Sequence, residues 1–155
     1  MSTQNVNSGN PGNMQPSQTV FNNRDAPWHY SLCVCCSDMD SCCEACCCFP
    51  CQVSRQCNML VYNRKEICWP YCLVMTLCDM TFFVFSVSCV FSSEARRLAR
   101  ERYGIAGSTC SDCCTAFCCR TCSTQQVLLE MTVMSEFPGA TCYDVASYPT
   151  TRQMA

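Results

Sequence analysis

The cysteines of this chain lie in two dense blocks, and this distribution restricts the possible folds more than any other feature. The run "CCEACCCFPC" at residues 42–51 holds six cysteines in ten positions. Ten of the 21 cysteines lie between Cys33 and Cys57, and six lie between Cys110 and Cys122. The total is odd, and the N-terminus lacks the basic and apolar regions of an export signal. We therefore expect reduced thiols; a disulfide-stapled extracellular fold is the weaker alternative.

An apolar stretch separates the two blocks. Its sequence, "YCLVMTLCDMTFFVFSVSCVF" at 71–91, has 21 residues, enough for a helix to cross about 30 Å of hydrocarbon. The ten Leu, Phe and Val residues contribute about -3 to -6 kcal/mol to insertion, whereas a central Asp costs about 2.5 to 3.5 kcal/mol. The sequence thus predicts a candidate transmembrane helix over 71–91, with the buried helix of a soluble domain as the alternative.

Polar composition marks both ends of the chain. Residues 1–26 are rich in Asn, Gln, Ser and Pro and have few large apolar side chains, which predicts a disordered N-terminal tail. Residues 136–155 contain two prolines and a glycine, which predicts a flexible C-terminal tail. Between them, residues 27–135 are expected to form one mainly α, small cysteine-rich helical membrane domain.

Local signals predict where helices in the second half begin and end. A helix that continues from the apolar stretch into "SSEARRLARERYG" is expected to end at Gly104, because glycine readily adopts the left-handed conformation that closes a helix. A second helix is expected over 111–135, with Ser111 or Asp112 as its N-cap. The four arginines before Gly104 can meet anionic lipid headgroups, which favours a cytosolic position for this flank.

Several cysteines have the C-x-x-C spacing of metal ligands. The pairs are Cys43 with Cys46, Cys48 with Cys51, Cys110 with Cys113, and Cys119 with Cys122. Two such pairs can make a four-thiolate site for Zn²⁺ or a softer ion of the cadmium type. The usual separation of about 15 to 20 residues between pairs is not met inside either block, so a site would have to join the two blocks. Acylation beside the membrane, at Cys46–Cys48 or Cys118–Cys119, is the open alternative.

Two other ionisable residues are candidates for function. Asp79 is the one formal charge of the apolar stretch, and on a helix it shares a face with Cys72, Thr76 and Ser86. Such a polar face should pack against another helix or another copy of the chain, with Asp79 either in a cation path or hydrogen-bonded in that interface. His29 precedes the cysteine blocks, so a Cys-His nucleophile pair is not expected and the protein is predicted not to be an enzyme.

Two motifs resemble a known family. "CCEACCCFPCQV" is similar to a hallmark of the cysteine-rich membrane family that includes the placenta-specific gene eight product, cornifelin, the plant cadmium-resistance proteins and the cell-number regulators. "RRLARERYGIAGSTCSDCCTAFCCRTCSTQQVLLEM" matches the family's second motif more fully, although Arg120 and Thr121 stand where a proline is usual. The likeness covers about residues 28–131.

The resemblance implies a small membrane protein associated with heavy-metal resistance, cation movement, or control of cell number. It implies metal ligands among the motif cysteines, with Zn²⁺ or another soft divalent ion as the candidate cofactor. With the C-x-x-C pairs, the candidate ligands are Cys42, Cys43, Cys48, Cys51, Cys110, Cys113, Cys118, Cys119 and Cys122. The expected location is a membrane, the plasma membrane first, with lipid and further copies of the chain as partners. The alternative is a palmitoylated, non-catalytic adaptor. A net charge of -2 argues against nucleic acid.

Overall fold

The computed structural model describes residues 26–34, 38–81, 87–141 and 143. These residues form six helices: α1 (Met39–Cys47), α2 (Phe49–Tyr62), α3 (Trp69–Thr81), α4 (Val87–Tyr103), α5 (Thr109–Cys118) and α6 (Arg120–Val133). Within the described ranges the only β pairing is an isolated parallel bridge between Ala26 and Ile105. The mainly α, cysteine-rich prediction is confirmed. The predicted N-terminal tail lies almost wholly outside the described residues.

Each cysteine block folds as a short helix that a single cysteine separates from a 14-residue helix. Cys48 interrupts the helical backbone between α1 and α2, and Cys119 does so between α5 and α6. The prediction of one helix over 111–135 is therefore wrong, because the backbone at Cys119 is extended (φ -146°, ψ 76°). The N-cap of α5 is Ser108, whose hydroxyl oxygen accepts a hydrogen bond from the backbone N–H of Ser111.

The apolar stretch folds back on itself. The rings of Tyr71 in α3 and Phe91 in α4 lie 5.5 Å apart between centroids. A continuous helix rises about 1.5 Å per residue and would separate these two positions by roughly 30 Å. The prediction of one transmembrane helix over 71–91 is thus corrected to a helical hairpin. In the part of the chain that the structure describes, every helix is too short or too polar to cross a membrane.

Helices α2, α4 and α6 form the centre of the molecule. One apolar cluster joins α2, α3 and α4 through Phe49, Val53, Cys57, Met75 and Ala95. A second joins α2, α4 and α6 through Met59, Leu60, Ala99, Val127 and Met131. Ala95 and Ala99 are one turn apart on α4 and fully buried, so this small-residue face lets α4 pack closely against its neighbours. As predicted, α4 is followed by Gly104, which has φ 69°.

The residues before α1 form an N-terminal arm (26–34) that packs along α4 and α6. Arg96 of α4 lies over the ring of Trp28, 4.2 Å from its centroid. The backbone N–H of His29 donates to the fully buried carboxylate of Glu130, and its Nδ1 lies 2.5 Å from the other carboxylate oxygen. The amide of Gln126 donates to the Tyr30 carbonyl. These contacts provide the buried side chains of Gln126 and Glu130 with partners from the arm.

Residues 136–141, which the sequence assigns to a flexible tail, contact the helices. The Glu136 carboxylate accepts hydrogen bonds from Arg102 and from the hydroxyl of Tyr103, each at 2.6 Å. The backbone N–H of Thr141 donates to Glu44. Most of the remaining residues of that predicted tail lie outside the described ranges.

Candidate functional site

Helix α1 carries a row of exposed thiols. Its inner face, formed by Ser41, Glu44 and Ala45, is fully buried against the other helices. The exposed thiols are Cys43, Cys46 and Cys47, and Cys42 and Cys48 are half-buried. Because α1 has a little more than two turns and one buried face, the cysteines between the buried positions must point outward.

Helix α5 carries a second row, the α5 thiols, defined as Cys110, Cys113, Cys114 and Cys118. All four are exposed, while Asp112 and Ala116 form the buried face of the helix. The neighbouring Cys110 thiol, one helical turn away, raises the pKa of Cys114, since two thiolates so close repel each other.

The two rows of thiols are separated in the structure. Helices α1 and α5 each pack against α6 but not against each other. Among the described residues, no three or more His, Cys, Asp or Glu side chains are arranged to hold a metal ion together. Each row is therefore a separate group of thiols on the surface.

The C-x-x-C pairs at the two helix breaks differ from each other. Cys119 and Cys122 form a disulfide, with Cα atoms 5.4 Å apart. Cys51 points instead to α3, where its Sγ lies 3.5 Å from the Sγ of Cys72. Sequence reasoning missed this pair, because Cys51 and Cys72 are 21 residues apart and belong to different helices. The one sequence feature that hinted at a contact for Cys72 was its position on the polar face of the apolar stretch.

The pair of Cys51 and Cys72 lies at the interface of α2 and α3. Cys72 is buried and Cys51 is half-buried. Burial raises the pKa of Cys51, and the Cys72 thiol adds to the effect. Farther along α2, burial raises the pKa of Cys57 to about 12, so this thiol acts as an apolar core side chain.

Asp79 lies in the last turn of α3, which together with the first turn of α4 is called the hairpin tip below. Its carboxylate accepts a 3.4 Å hydrogen bond from the backbone N–H of Ser88 and lies 3.6 Å from the guanidinium of Arg120. Arg120 also lies over the ring of Phe49, 5.1 Å from its centroid, at the start of α2. The hairpin tip and both cysteine helix breaks therefore meet around Arg120 at one end of the molecule, called the thiol end below.

Helix α3 exposes a row of large apolar side chains. This α3 row consists of Trp69, Leu73, Leu77 and Met80, spaced by four, four and three residues, so its members share one face. Their exposed fractions range from 55% to 79%, values unusual for a contiguous apolar group on a soluble surface. The α3 row runs towards the thiol end.

Sequence comparisons connect the chain to one family of known proteins. A sequence profile of the PLAC8 family matches residues 28–130. The chain is 30% identical to Protein PLANT CADMIUM RESISTANCE 2 of Arabidopsis thaliana over 107 residues, which cover 69% of this chain and 68% of the relative. It is 30% identical over 104 residues to Cell number regulator 7 of Zea mays, covering 67% and 57% of the two chains.

The likeness extends to an animal protein. Placenta-specific gene 8 protein of Pongo abelii is 31% identical over 104 residues, which cover 67% of this chain and 70% of the relative. No solved structure matches the chain. The match covers both cysteine blocks and the hairpin, which build the thiol end, and also the motif around Gly104 after α4. The resemblance seen in the sequence is confirmed, and the chain belongs to the PLAC8 family.

Proposed function

We propose that this protein binds soft divalent metal ions of the zinc and cadmium type through its α5 thiols and acts in metal homeostasis. The observation that carries the proposal is the placement of Cys110 and Cys114, two exposed thiols one helical turn apart on the outer face of α5. Thiolate is the ligand that soft ions prefer, and two thiols one helical turn apart can bind one ion together.

The repulsion between two neighbouring thiolates gives this pair a reason to bind a cation. Ionising both thiols without a cation places two negative charges side by side, which is why the pKa of Cys114 is raised. A bound divalent cation reverses this effect and releases the thiol protons. Since the α5 thiols are exposed, solvent or another molecule can occupy the remaining coordination positions, so the metal can exchange. We assign this role to binding and not to catalysis.

The relatives support the coarse role. Two of them carry the name plant cadmium resistance and two the name cell number regulator, which supports a metal-resistance or growth-regulation role in this family. Asp79 is engaged with Ser88 and Arg120, so the proposal places the metal on the thiols and not on a path through Asp79.

The test replaces Cys110 and Cys114 together with serine. We expect the purified chain to lose about one bound cadmium ion, measured by mass spectrometry of the metal content, and cells that express the variant to lose cadmium tolerance. The matched control is Cys33→Ser, which removes an exposed thiol from the N-terminal arm. Unchanged metal content and unchanged tolerance in the double variant would remove this function.

A second function is favoured by the thiol end. The α3 row lies beside two cysteine-rich helix breaks, so acylated cysteines and exposed apolar side chains would enter a lipid surface from the same side. This arrangement supports a non-catalytic adaptor at a membrane, the plasma membrane first. Cells fed a palmitate analogue should label Cys46–Cys48 or Cys118, and serine at these positions should release the protein from membranes. A chain that stays on membranes without any label would count against this adaptor.

A further inference from the structure

We infer that Cys51 and Cys72 form a second soft-metal site, a two-thiolate clamp between α2 and α3 that is separate from the α5 thiols. The inference rests on the proposed function only for the class of metal. Neither the C-x-x-C spacing nor the two cysteine blocks indicate this pair, because Cys72 lies outside both blocks, in the apolar stretch.

The separation of the two sulfurs matches that of a metal-bound pair. In a tetrahedral site with metal–sulfur bonds of about 2.3 Å, two ligand sulfurs lie about 3.8 Å apart. The observed 3.5 Å between the sulfurs of Cys51 and Cys72 therefore needs to widen by only a few tenths of an ångström. Each thiol is fixed by its own helix, so little side-chain entropy remains to be lost when the ion binds.

The exposure of the pair leaves one side open. Cys72 has an exposed fraction of only 6% and forms the inner ligand. Cys51 is half-buried and faces the surface, so an ion can enter there and keep solvent in its remaining coordination positions. In the binding step two S–H bonds break, two metal–sulfur bonds form, and two protons leave to solvent.

A buried carboxylate of α1 adds negative charge to the surroundings of Cys51. Glu44 is fully buried, and its Oε2 has no hydrogen-bond partner in the structure. Its Oε1 is 3.3 Å from Arg55 and accepts the 2.9 Å hydrogen bond of Thr141. The charge of Glu44 opposes thiolate formation at Cys51, whereas the charge of Arg55 favours it. A cation on the two sulfurs would offset the charge of the thiolates.

Oxidation to a disulfide is the other chemistry open to two adjacent thiols. In this structure Cys119 and Cys122 are bonded, whereas the sulfurs of Cys51 and Cys72 remain well beyond the bond length of about 2.05 Å. The dithiol form is the one that a metal ion requires, so we assign the pair to metal.

The test follows the protection of Cys51 from alkylation, residue by residue. The full chain is incubated with cadmium, treated with N-ethylmaleimide, and digested for peptide mass spectrometry. We expect cadmium to lower the labelling of Cys51 at least fivefold, and Cys72→Ser or Cys72→Ala to abolish this protection. Cys68→Ser, one helical turn away on the same face, is the matched control and should keep it.

The outcomes separate this site from the proposed function. Protection of Cys51 that survives both Cys72 variants, or a Cys51–Cys72 disulfide in chain prepared under reducing conditions, would overturn the assignment. Cys72→Ser places a hydroxyl in a buried position, whereas Cys72→Ala does not. Circular dichroism checks that the variant used has the helical content of the parent, and we expect this at least of Cys72→Ala. The same spectra report whether cadmium protects Cys110 and Cys114 from alkylation. Protection of these two thiols tests the proposed function, and protection of Cys51 tests the second site, so the two proposals can fail independently.

Discussion

Asp112 is a buried carboxylate that holds two arginines. Its exposed fraction is 2%, and its Oδ2 accepts hydrogen bonds from Arg100 while its Oδ1 lies 3.1 Å from the Nε of Arg96. Both arginines belong to α4, and Asp112 stands in the first turn of α5. Burial lowers the pKa of Arg96, and Asp112 opposes that effect. This residue therefore fixes α5, with its row of thiols, to the centre of the molecule.

Removing that carboxylate should be costly. We expect Asp112→Ala to lower the free energy of unfolding by about 3 to 5 kcal/mol, because two buried guanidinium groups would lose their counter-charge. The measurement is urea unfolding followed by circular dichroism. Arg97→Gln is the control: Arg97 pairs with Glu94 and Glu101 on the exposed side of α4 and should cost at most about 1 kcal/mol. Equal effects in the two variants would contradict the buried arrangement.

At the scale of elements, the α3–α4 hairpin is the feature that distinguishes the structure from the sequence prediction. Its direct test is a double-mutant cycle on Tyr71 and Phe91. We expect a coupling energy of about 0.5 to 1.5 kcal/mol between Tyr71→Ala and Phe91→Ala, the value of an aromatic pair in contact. The measurement is the free energy of unfolding of the four chains. Additive effects would mean that the two rings do not meet and that the stretch does not reverse.

The sequence predicted those elements whose signals are local. A glycine with positive φ follows α4, as expected, and the chain is mainly α and cysteine-rich, as predicted. The reversal between Tyr71 and Phe91 was not predictable from hydropathy, because the number of apolar residues in a window carries no information on chain direction. The pairing of Cys51 with Cys72 depends on that reversal and on how α3 packs against α2. Such a contact between distant positions has no signature in residue spacing.

The molecule as a whole has two unlike ends. Arg120, the hairpin tip and the cysteine helix breaks form the thiol end. At the other end, Arg102 bonds to the backbone carbonyl of Leu60, to Asn63 and to Glu136, which also accepts from Tyr103. The α3 row reaches the thiol end, where Met80 is 79% exposed, so an apolar surface lies there beside the pair of Arg120 and Asp79. An exposed apolar row of this kind can orient a molecule at a water–lipid boundary.

A charge on the α3 row should prevent that orientation. We expect Leu77→Asp and Met80→Asp each to reduce binding to phosphatidylcholine vesicles at least tenfold, because a carboxylate in lipid costs about 2.5 to 3.5 kcal/mol. The measurement is flotation of the recombinant chain with vesicles. Val133→Asp, at the opposite end of α6, is the control and should bind as the parent does. An equal loss of vesicle binding in the control would contradict the role of the α3 row in lipid binding. If the parent is a dimer that the α3 variants dissociate, the α3 row contacts a second copy of the chain instead.

The two tryptophans of the chain lie in different surroundings, and this placement supplies two intrinsic optical reporters. Trp28 is half-buried against the guanidinium of Arg96 in the N-terminal arm, whereas Trp69 is 61% exposed at the start of the α3 row. Indole emission shifts to shorter wavelength when water leaves the ring. A Trp28→Phe chain therefore reports lipid contact through Trp69 alone, and a Trp69→Phe chain reports detachment of the arm through Trp28, with no label attached.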